Sequence, residues 1–185
     1  MRIVAGRFKG AQIATPSGRD IRPTADRLRE SLFNILIHGH DDPVEGARVL
    51  DLFAGTGALG LEALSRGARH CLFIEEAAEA RALIRRNVEA MKLTGETRIY
   101  RRDATRLGAA GTHTPFDLAF LDPPYSRGLG EAALASVAAG GWLKPGALAV
   151  LEEAAGAEIT LPAGYTLVDE RSQGISKLLI LRYEP

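Results

Sequence analysis

Apolar runs of strand length alternate with helical spacing of apolar residues along most of this chain. The strand-like runs occupy residues 48–52, 70–75, 97–101, 116–122 and 147–152. Apolar residues at helical intervals lie between them, at about 57–66, 77–92 and 128–140, with a shorter segment around 104–109. This order predicts an α/β fold in which helices cover both faces of a mostly parallel sheet.

The two ends of the chain depart from that alternation. Residues 2–14 predict two short strands around a glycine-bearing turn, followed by a helix with Thr24 as its N-cap. At the other end, residues 165–171 and 177–183 predict a pair of antiparallel strands that closes the sheet. The apolar face expected for the N-terminal helix consists of Leu28, Leu32, Ile35 and Leu36.

The length of 185 residues suggests one domain with a small appendage. The polar segment 38–46 contains Pro and Gly and predicts a linker. It separates an N-terminal extension, residues 1–40, from a main domain, residues 41–185.

The composition narrows the class of protein. The fractions of hydrophobic residues, 46%, and charged residues, 25%, are typical of a soluble globular protein. No apolar run is long enough to span a membrane, and the N-terminus lacks the apolar core of a signal peptide. Cys71 is the only cysteine, which excludes an internal disulfide, and its apolar neighbours predict a buried thiol. The histidines show no metal-ligand spacing, so we expect no metal. The single cysteine and the absence of a membrane span or signal peptide lead us to expect a cytoplasmic protein without a membrane partner.

Basic residues are concentrated at the front of a chain whose formal net charge is zero. Residues 1–40 contain seven Lys and Arg against three Asp and Glu, a balance of +4, and the remainder carries −4. Such a distribution indicates a local surface for a polyanionic partner, and an ordinary solvated surface is the alternative. The candidates for contact with that partner are Arg2, Arg7, Lys9, Arg22, Arg27 and Arg29.

A glycine turn follows the run 48–52. Gly55, Gly57 and Gly60 have the G-x-G-x-x-G spacing, which lets bare backbone approach a ligand at the start of a helix. The spacing alone fits a dinucleotide site as well as a nucleoside site. Asp51 favours the nucleoside, because a carboxylate at the strand end suits a cationic amino group; a helix-capping role is its alternative.

Two further acids are expected at the same edge of the sheet. Glu75 follows Gly55 by twenty residues, where an acid can accept hydrogen bonds from both ribose hydroxyls. Asp103 follows the third strand-like run and can accept a hydrogen bond from an adenine amino group, although it could also be a surface-loop acid. Ligands of open α/β sheets bind at the carboxyl ends of the strands, so these acids are predicted to line one site.

The sequence Asp122-Pro123-Pro124-Tyr125 ends the run 116–122. The two prolines make this strand end rigid. An exocyclic amino group of a nucleobase is a poor nucleophile, because its lone pair is delocalised into the ring. The Asp122 carboxylate and the Pro123 carbonyl can accept its two hydrogens and direct the lone pair towards a methyl group, while Tyr125 offers a stacking surface. These residues therefore predict a methyltransferase site, with a plain turn as the alternative.

Several segments, taken in order, carry a family resemblance. DLFAGTGALGLEALSRGA, FIEE, RNVE, RDA and DPPY resemble class I S-adenosylmethionine-dependent methyltransferases that act on nucleobase amino groups. RIVAGRFKG followed by RPTADRLRESLFNIL resembles the bacterial family of 16S ribosomal RNA guanine-N2 methyltransferases of the RsmD type. The likeness is strong from Arg2 to about Tyr125 and weaker beyond. Ala77 is one departure, because many relatives carry a second acid there.

The resemblance implies a seven-stranded, Rossmann-like methyltransferase fold preceded by a β-hairpin and a helix. It implies S-adenosylmethionine as methyl donor, S-adenosylhomocysteine as product, and 16S ribosomal RNA as substrate, in the small subunit or an assembly intermediate. The implied cofactor-binding residues are Asp51, Phe53, Ala54, Gly55, Gly57, Glu75, Asp103, Ala104 and Asp122. The target guanine would be held by Asp122, Pro123, Pro124 and Tyr125, and the RNA by the six basic residues of the extension.

Three other interpretations are open at this point. A DNA adenine-N6 methyltransferase would use DPPY equally well, and only the arginine-rich front favours RNA. A nicotinamide-dependent dehydrogenase would share the glycine spacing but would leave Asp51 and DPPY without a role. A non-catalytic nucleic-acid-binding module would not need the cofactor contacts.

Overall fold

The computed structural model describes residues 1–17 and 23–185, in which a seven-stranded sheet is flanked by helices. The strands are β1 (Arg48–Leu52), β2 (His70–Ile74), β3 (Thr97–Tyr100), β4 (Phe116–Leu121), β5 (Leu143–Ala154), β6 (Tyr165–Gln173) and β7 (Ser176–Tyr183). The helices are α1 (Pro23–Gly39), α2 (Ala58–Ser65), α3 (Ala78–Ala90) and α4 (Leu129–Gly140), with 3₁₀ turns at Thr94–Glu96 and Ala104–Arg106. The predicted α/β fold is confirmed.

The strand order is β3-β2-β1-β4-β5-β7-β6, and it determines where along the sheet a ligand is expected to bind. β1 to β5 run parallel to one another, whereas β7 runs antiparallel to both β5 and β6. The predicted antiparallel pair at the C-terminus is therefore confirmed. The chain steps outward from β1 to β3 and then crosses back to β4, so the topological switch falls between β1 and β4. Ligands of open α/β sheets bind at the carboxyl ends of the strands beside such a switch.

Several element bounds differ from the sequence predictions; the two short strands expected within residues 2–14, for example, are reduced to one bridge between Arg2 and Gln12. α1 begins at Pro23, so Thr24 lies inside the helix rather than at its N-cap; proline suits the first helical position because its missing N–H has no partner there. The segment expected around 104–109 is a single 3₁₀ turn. β5 begins at Leu143, four residues before the predicted start, and extends two residues beyond the predicted end at Glu152, because it pairs with β7 as far as Ala154.

Each face of the sheet carries its own apolar core, which explains why the central strands are almost continuously apolar. The hairpin, α1, α2 and α3 cover one face, where Phe33, Phe73 and Phe120 are fully buried. α4 and the segment around Trp142 cover the other. The lone thiol of Cys71 is fully buried in the first core, as predicted, and burial raises its pKa well above the usual value.

The N-terminal hairpin is attached to α2 through one buried carboxylate. Arg2 and Gln12 form an antiparallel bridge that closes the hairpin. Glu62 of α2 has no exposed surface, and its two oxygens accept the backbone N–H groups of Val4 and Ala5, each at 3.0 Å. The hairpin therefore docks on the helix that follows the glycine turn.

The same carboxylate also holds two arginines. Glu62 accepts hydrogen bonds from Arg29 Nε at 3.0 Å and from Arg66 Nε at 2.9 Å. Arg29 bonds further to Asp26 Oδ1 at 3.0 Å and to the backbone carbonyl of Arg2. Glu62 thus joins the hairpin, α1 and α2 at one buried point.

A close backbone crossing reinforces this attachment. Gly6 has φ +81°, and a Cβ there would lie 1.9 Å from the carbonyl oxygen of Ser65. The Arg7 N–H donates to that oxygen at 2.8 Å, and the Phe8 N–H donates to Ser65 Oγ at 3.0 Å. Only glycine fits this crossing without displacing the hairpin.

The extension and the main domain share one core. Ile3 and Ile13 of the hairpin and Phe33 of α1 are buried in the cluster that contains the first face of the sheet. Across residues 1–17 and 23–185, no helix combines the length and the apolarity that a bilayer crossing demands.

Candidate active site

Four acids stand in a row along the carboxyl edge of the sheet. Asp51 lies in β1, Glu75 directly follows β2, Asp103 follows β3 and Asp122 directly follows β4. Because the strands are ordered β3-β2-β1-β4, the acids run in the order Asp103, Glu75, Asp51, Asp122. The structure therefore brings the predicted acids together at one edge, although β3 itself ends at Tyr100, before Asp103.

Asp51 anchors α2 to β1. It is 1% exposed, and its Oδ2 accepts the backbone N–H of Gly60 at 2.9 Å. Burial raises the pKa of Asp51 well above its usual value, the Gly60 N–H opposes that rise, and the nearby Asp122 and Glu75 add to it. The capping role considered from the sequence is therefore present. The contact with a cationic amino group stays a prediction.

The glycine turn holds its shape by positive φ angles. Phe53 has φ +57°, Gly55 +57° and Gly57 +80°, and a left-handed φ at a residue as large as Phe53 is strained. A Cβ at Gly55 would meet only one neighbouring atom, at 4.0 Å, whereas one at Gly60 would lie 2.5 Å from Cys71 Sγ. Gly55 thus leaves open space above the turn, and Gly60 lets α2 pack closely on β2.

Glu75 ties the glycine turn to the end of β2. Its Oε2 accepts the Gly55 N–H at 2.9 Å, and its Oε1 accepts the Ala77 N–H at 2.8 Å. Its side chain is only partly buried, so the carboxylate remains accessible from the edge of the sheet. Its predicted contact with a ribose stays a prediction.

Asp103 caps the 3₁₀ turn that starts at Ala104. Its Oδ1 accepts the Thr105 hydroxyl at 2.7 Å and the Thr105 N–H at 2.8 Å. The hydroxyl contact and then the N–H contact lower its pKa below the usual value. The group stays ionised and partly exposed, with Ala104 buried beside it. The predicted adenine contact of these two residues is a prediction still.

The end of β4 joins two carboxyl groups and a phenol. Asp122 as a residue is exposed, but its carboxyl group is surrounded by protein atoms. This desolvation, together with the charge of Glu152, raises the pKa of Asp122 to about 7. The Tyr125 hydroxyl donates a hydrogen bond to Glu152 Oε1. Burial and that contact raise the pKa of Tyr125 well above its usual value. Pro123 is buried and Pro124 exposed, so the prolines place Asp122 and Tyr125 on a fixed strand end.

A crevice opens beside Asp122, between the end of β4 and α1. Its walls are largely apolar, and its polar side chains come from the end of β4, from β5, from α1 and from β6. The lining residues are Met1, Ala25, Leu28, Arg29, Leu32, Ala58, Leu59, Asp122, Glu152, Gln173 and Leu178. Apolar walls with a few converging polar groups are typical of a ligand site.

The basic residues of the extension differ in their surroundings. Arg2, Lys9 and Arg27 are exposed, and Arg7 is exposed but pairs with Glu96. Arg22 lies outside the described residues. Contact of these residues with RNA stays a prediction.

The structure places Arg29 largely inside the protein rather than on its surface. It is 5% exposed, and its guanidinium bonds to Glu62, to Asp26 and to the carbonyl of Arg2. Its Nε and Nη2 atoms are held by groups of the protein, and its contact with RNA stays a prediction. Its role is to join α1 to α2.

Sequence reasoning overlooked three residues at this site: Glu62, Asn87 and Glu152. Asn87 is buried in α3; its Oδ1 accepts the Ala14 N–H at 2.6 Å, and its Nδ2 donates to the Thr56 carbonyl at 3.0 Å. It therefore bridges the hairpin and the glycine turn. A signal was present for Glu152, since it ends the predicted strand 147–152 as Asp122 ends another.

No group of three or more His, Cys, Asp or Glu side chains within residues 1–17 and 23–185 has the arrangement of a metal site. In the same residues, Asp51, Glu75 and Asp122 form no ion pair with Lys, Arg or His. Within the described residues, no basic side chain therefore neutralises these three carboxylates.

The sheet order, the glycine turn after β1 and the acids at the edge define a class I methyltransferase fold. The family described as Conserved hypothetical protein 95 matches residues 1–182, and the chain belongs to this family, which comprises the RsmD-type methyltransferases. The resemblance seen in the sequence is thereby confirmed.

Individual relatives are similar to this chain over nearly its whole length. Ribosomal RNA small subunit methyltransferase D of Escherichia coli K12 is 38% identical, over 94% of this chain and 85% of the relative. The Haemophilus influenzae protein of the same name is 33% identical, over 95% and 90%. The solved structure of yhhF from Escherichia coli covers 100% of this chain and 98% of its own, with 34% identity and a TM-score of 0.83.

Proposed function

We propose that this protein transfers a methyl group from S-adenosylmethionine to the N2 amino group of a guanine in 16S ribosomal RNA. The observation that carries the proposal is Asp122-Pro123-Pro124-Tyr125 at the carboxyl end of β4, beside the switch point. Relatives over nearly the full length bear the name ribosomal RNA small subunit methyltransferase D, which supports the choice of substrate.

The edge of the sheet fits the cofactor. Open space above Gly55 admits a ligand against the backbone, and the acids beside it have no basic partner among the described residues. Asp103 with Ala104 would hold the adenine, Glu75 the ribose hydroxyls and Asp51 the ammonium group. When bound, S-adenosylmethionine supplies a methyl carbon on a positively charged sulfur.

Asp122 and Pro123 would act on the amino group. Each would accept one of its two hydrogens, so that the N2 lone pair is free to form the new bond to the methyl carbon. N2 gives up one proton in this step. Asp122 suits the role of proton acceptor, because a pKa of about 7 lets it be ionised before the reaction and protonated after it.

The RNA would be held by exposed basic residues of the extension. Arg2 and Arg27 are exposed on elements that adjoin the crevice, whereas Lys9 lies in the hairpin turn beside Ser65, at the far end of α2. Because the chain has no net charge, attraction to RNA must be local to this region. The target base must also leave any base pair before Asp122 can reach its amino group.

The decisive experiment is a map of N2-methylated guanines in ribosomal RNA from cells that lack this protein. We expect one 16S position to lose its methyl group, the wild-type chain to restore it and Asp122→Asn to leave it unmodified. Calorimetry should show that Asp122→Asn still binds S-adenosylmethionine, because Asp122 acts mainly on the base. An unchanged guanine map with a loss of N6-methyladenine in DNA would favour the DNA enzyme instead. Offering naked 16S RNA and purified small subunits separately identifies the form of the substrate.

A ligand screen tests the cofactor independently of RNA. S-adenosylmethionine or S-adenosylhomocysteine at 100 times its dissociation constant should stabilise the protein by about 2.7 kcal/mol. NAD at the same concentration should have no effect. Stabilisation by NAD alone would contradict the assignment of the glycine turn.

RNA affinity against salt concentration tests the basic surface. Arg27→Ala should lower the salt slope by about one unit if one phosphate contact is lost. Arg69→Ala is the matched control, because Arg69 is exposed but precedes β2, at the opposite edge of the sheet. Deleting the hairpin is a poorer test, since Ile3 and Ile13 belong to the core.

A further inference from the structure

Two carboxylates from neighbouring strands line the same crevice. β4 and β5 run parallel with Leu121 opposite Leu151, so Asp122 and Glu152 are the next residues along the two strands. Both line the crevice, whose walls include Leu28 and Leu32 of α1. A base that enters this crevice with its amino group on Asp122 therefore also faces Glu152.

Tyr125 fixes the orientation of the Glu152 carboxylate. Its hydroxyl donates to Glu152 Oε1, while Oε2 receives no hydrogen bond from any described residue. One oxygen is thus held by the phenol and the other remains as an acceptor for a ligand. A carboxylate fixed in this way offers an acceptor at a defined place and no donor.

Guanine differs from the other amino-bearing bases at the atom next to its amino group. In guanine the ring atom N1 carries a hydrogen and lies beside N2. In adenine and cytosine, the ring nitrogen beside the amino group carries no hydrogen and is an acceptor. A carboxylate at that place accepts a hydrogen bond from guanine and repels the other two bases.

We propose that Glu152 is the specificity-determining residue of the reaction, and that its Oε2 accepts the N1–H of guanine while Asp122 and the Pro123 carbonyl hold N2. This inference rests on the proposed function and names the group that selects the base. The DPPY segment alone can bind the amino group of any nucleobase. Glu152 restricts the site to guanine, which has three hydrogens on one edge, one on N1 and two on N2.

The electrostatics of the crevice agree with this assignment. The crowding of Asp122 and the charge of Glu152 disfavour a second ionised carboxylate at the floor of the crevice. An edge of three N–H donors interacts favourably with both carboxylates. A base with an acceptor beside its amino group would increase the repulsion at Glu152.

Replacement of Glu152 by glutamine reverses the expected preference without changing the shape of the side chain. The amide oxygen can still accept from Tyr125, which leaves the NH₂ group towards the crevice. That group donates to a ring nitrogen without a hydrogen and opposes the N1–H of guanine. 2,6-Diaminopurine is the matching probe, because it keeps the amino group at C2 but has an acceptor at N1.

The experiment compares 16S RNA ligated with guanine or 2,6-diaminopurine at the mapped nucleotide, offered in the form that the wild-type protein methylates. Wild type should prefer guanine in kcat/KM by roughly 10- to 100-fold, the range for one hydrogen bond to a charged group. Glu152→Gln should lower that ratio by about tenfold or more. Glu170→Gln is the control, because it makes the same change at an exposed position on β6 and should keep the wild-type ratio.

Two results would overturn the assignment: a wild type that methylates both RNAs equally well, or a Glu152→Gln variant that keeps the wild-type ratio. Should the variant methylate neither RNA, the same ratio is taken from dissociation constants for the two RNAs in the presence of S-adenosylhomocysteine. Failure of the proposed function is separate, since it appears as the absence of any guanine methylated by the wild type.

Discussion

Replacing Glu62 by glutamine tests how the hairpin and α1 are held on the methyltransferase sheet. The change keeps the size of the side chain, so no cavity forms, but it removes the charge. It also leaves one acceptor oxygen for four donors: two backbone N–H groups of the hairpin, Arg29 and Arg66. The glutamine NH₂ group would face donors and gain nothing there.

The cost follows from the burial of the ion pairs. The side chain of Arg29 is 4% exposed and that of Glu62 0% exposed, so water does not replace the lost partner. Breaking a buried pair from one side costs about 3–5 kcal/mol. For a chain of this size that corresponds to a fall in Tm of between about 6 and 20 °C. The fall in Tm should lie in the lower part of this range, because Arg29 keeps its hydrogen bonds to Asp26 and to the Arg2 carbonyl.

Calorimetry at fixed pH measures the Tm, and timed trypsin digestion reports release of the hairpin through cleavage after Lys9. Glu89→Gln is the matched control: it lies exposed on α3 and should stay within about 0.5 kcal/mol of wild type. Combining Arg29→Met with Glu62→Gln should cost less than the two single changes together, because neither charge is then left alone. A Glu62→Gln protein with the Tm and cleavage rate of the control would refute the view that this carboxylate holds the extension.

Three further outcomes are expected. Gly6→Ala should destabilise the protein far more than Gly10→Ala, although both have similar φ angles of +81° and +86°, because only Gly6 faces a backbone atom at 1.9 Å; equal melting temperatures would contradict this. Tyr125→Phe should lower kcat/KM about tenfold, because Glu152 loses its donor while stacking survives; wild-type kinetics would show that only the ring matters. The kcat/KM of the wild type should fall as pH drops below about 7, where Asp122 becomes protonated, and Glu152→Gln should move this midpoint to lower pH by removing a negative neighbour; a midpoint that does not move would argue against Asp122 as the titrating group.

Local patterns were sufficient to predict the order of the elements. The runs that became β1, β2 and β4 are almost entirely apolar because both faces of the sheet are covered, and each is followed by glycine, acid or proline. Asp51, Glu75 and Asp122 could be placed at one edge for the same reason, since parallel strands present their carboxyl ends together. Their hydrogen-bond partners could not be foreseen, because those depend on loops that cross at the edge.

Arg29 shows where charge alone misleads. Helical spacing from Leu28 predicted an apolar face that excluded Arg29, yet the buried stripe of α1 is Arg29, Leu32, Phe33 and Leu36. These positions also have helical spacing, with an arginine at the first of them. The stripe is tolerated only because Glu62, 33 residues away in the chain, enters the core opposite Arg29. A prediction from composition counted this arginine as surface charge, because its partner is remote in sequence.

Glu62 and Glu152 were overlooked for one physical reason. Each lies in an apolar segment. The role of a carboxylate in such a segment depends on which hydrogen-bond donors the fold brings to it. For Glu62 those donors are backbone N–H groups and arginines of the same chain, so its two oxygens are fully used and its role is structural. For Glu152 the only donor in the described chain is the Tyr125 hydroxyl, on one oxygen. The carboxylate of Glu62, whose two oxygens both accept hydrogen bonds inside the protein, therefore supports the fold. The carboxylate of Glu152 is held through one oxygen beside Asp122, and its other oxygen is placed to accept a hydrogen bond from the base.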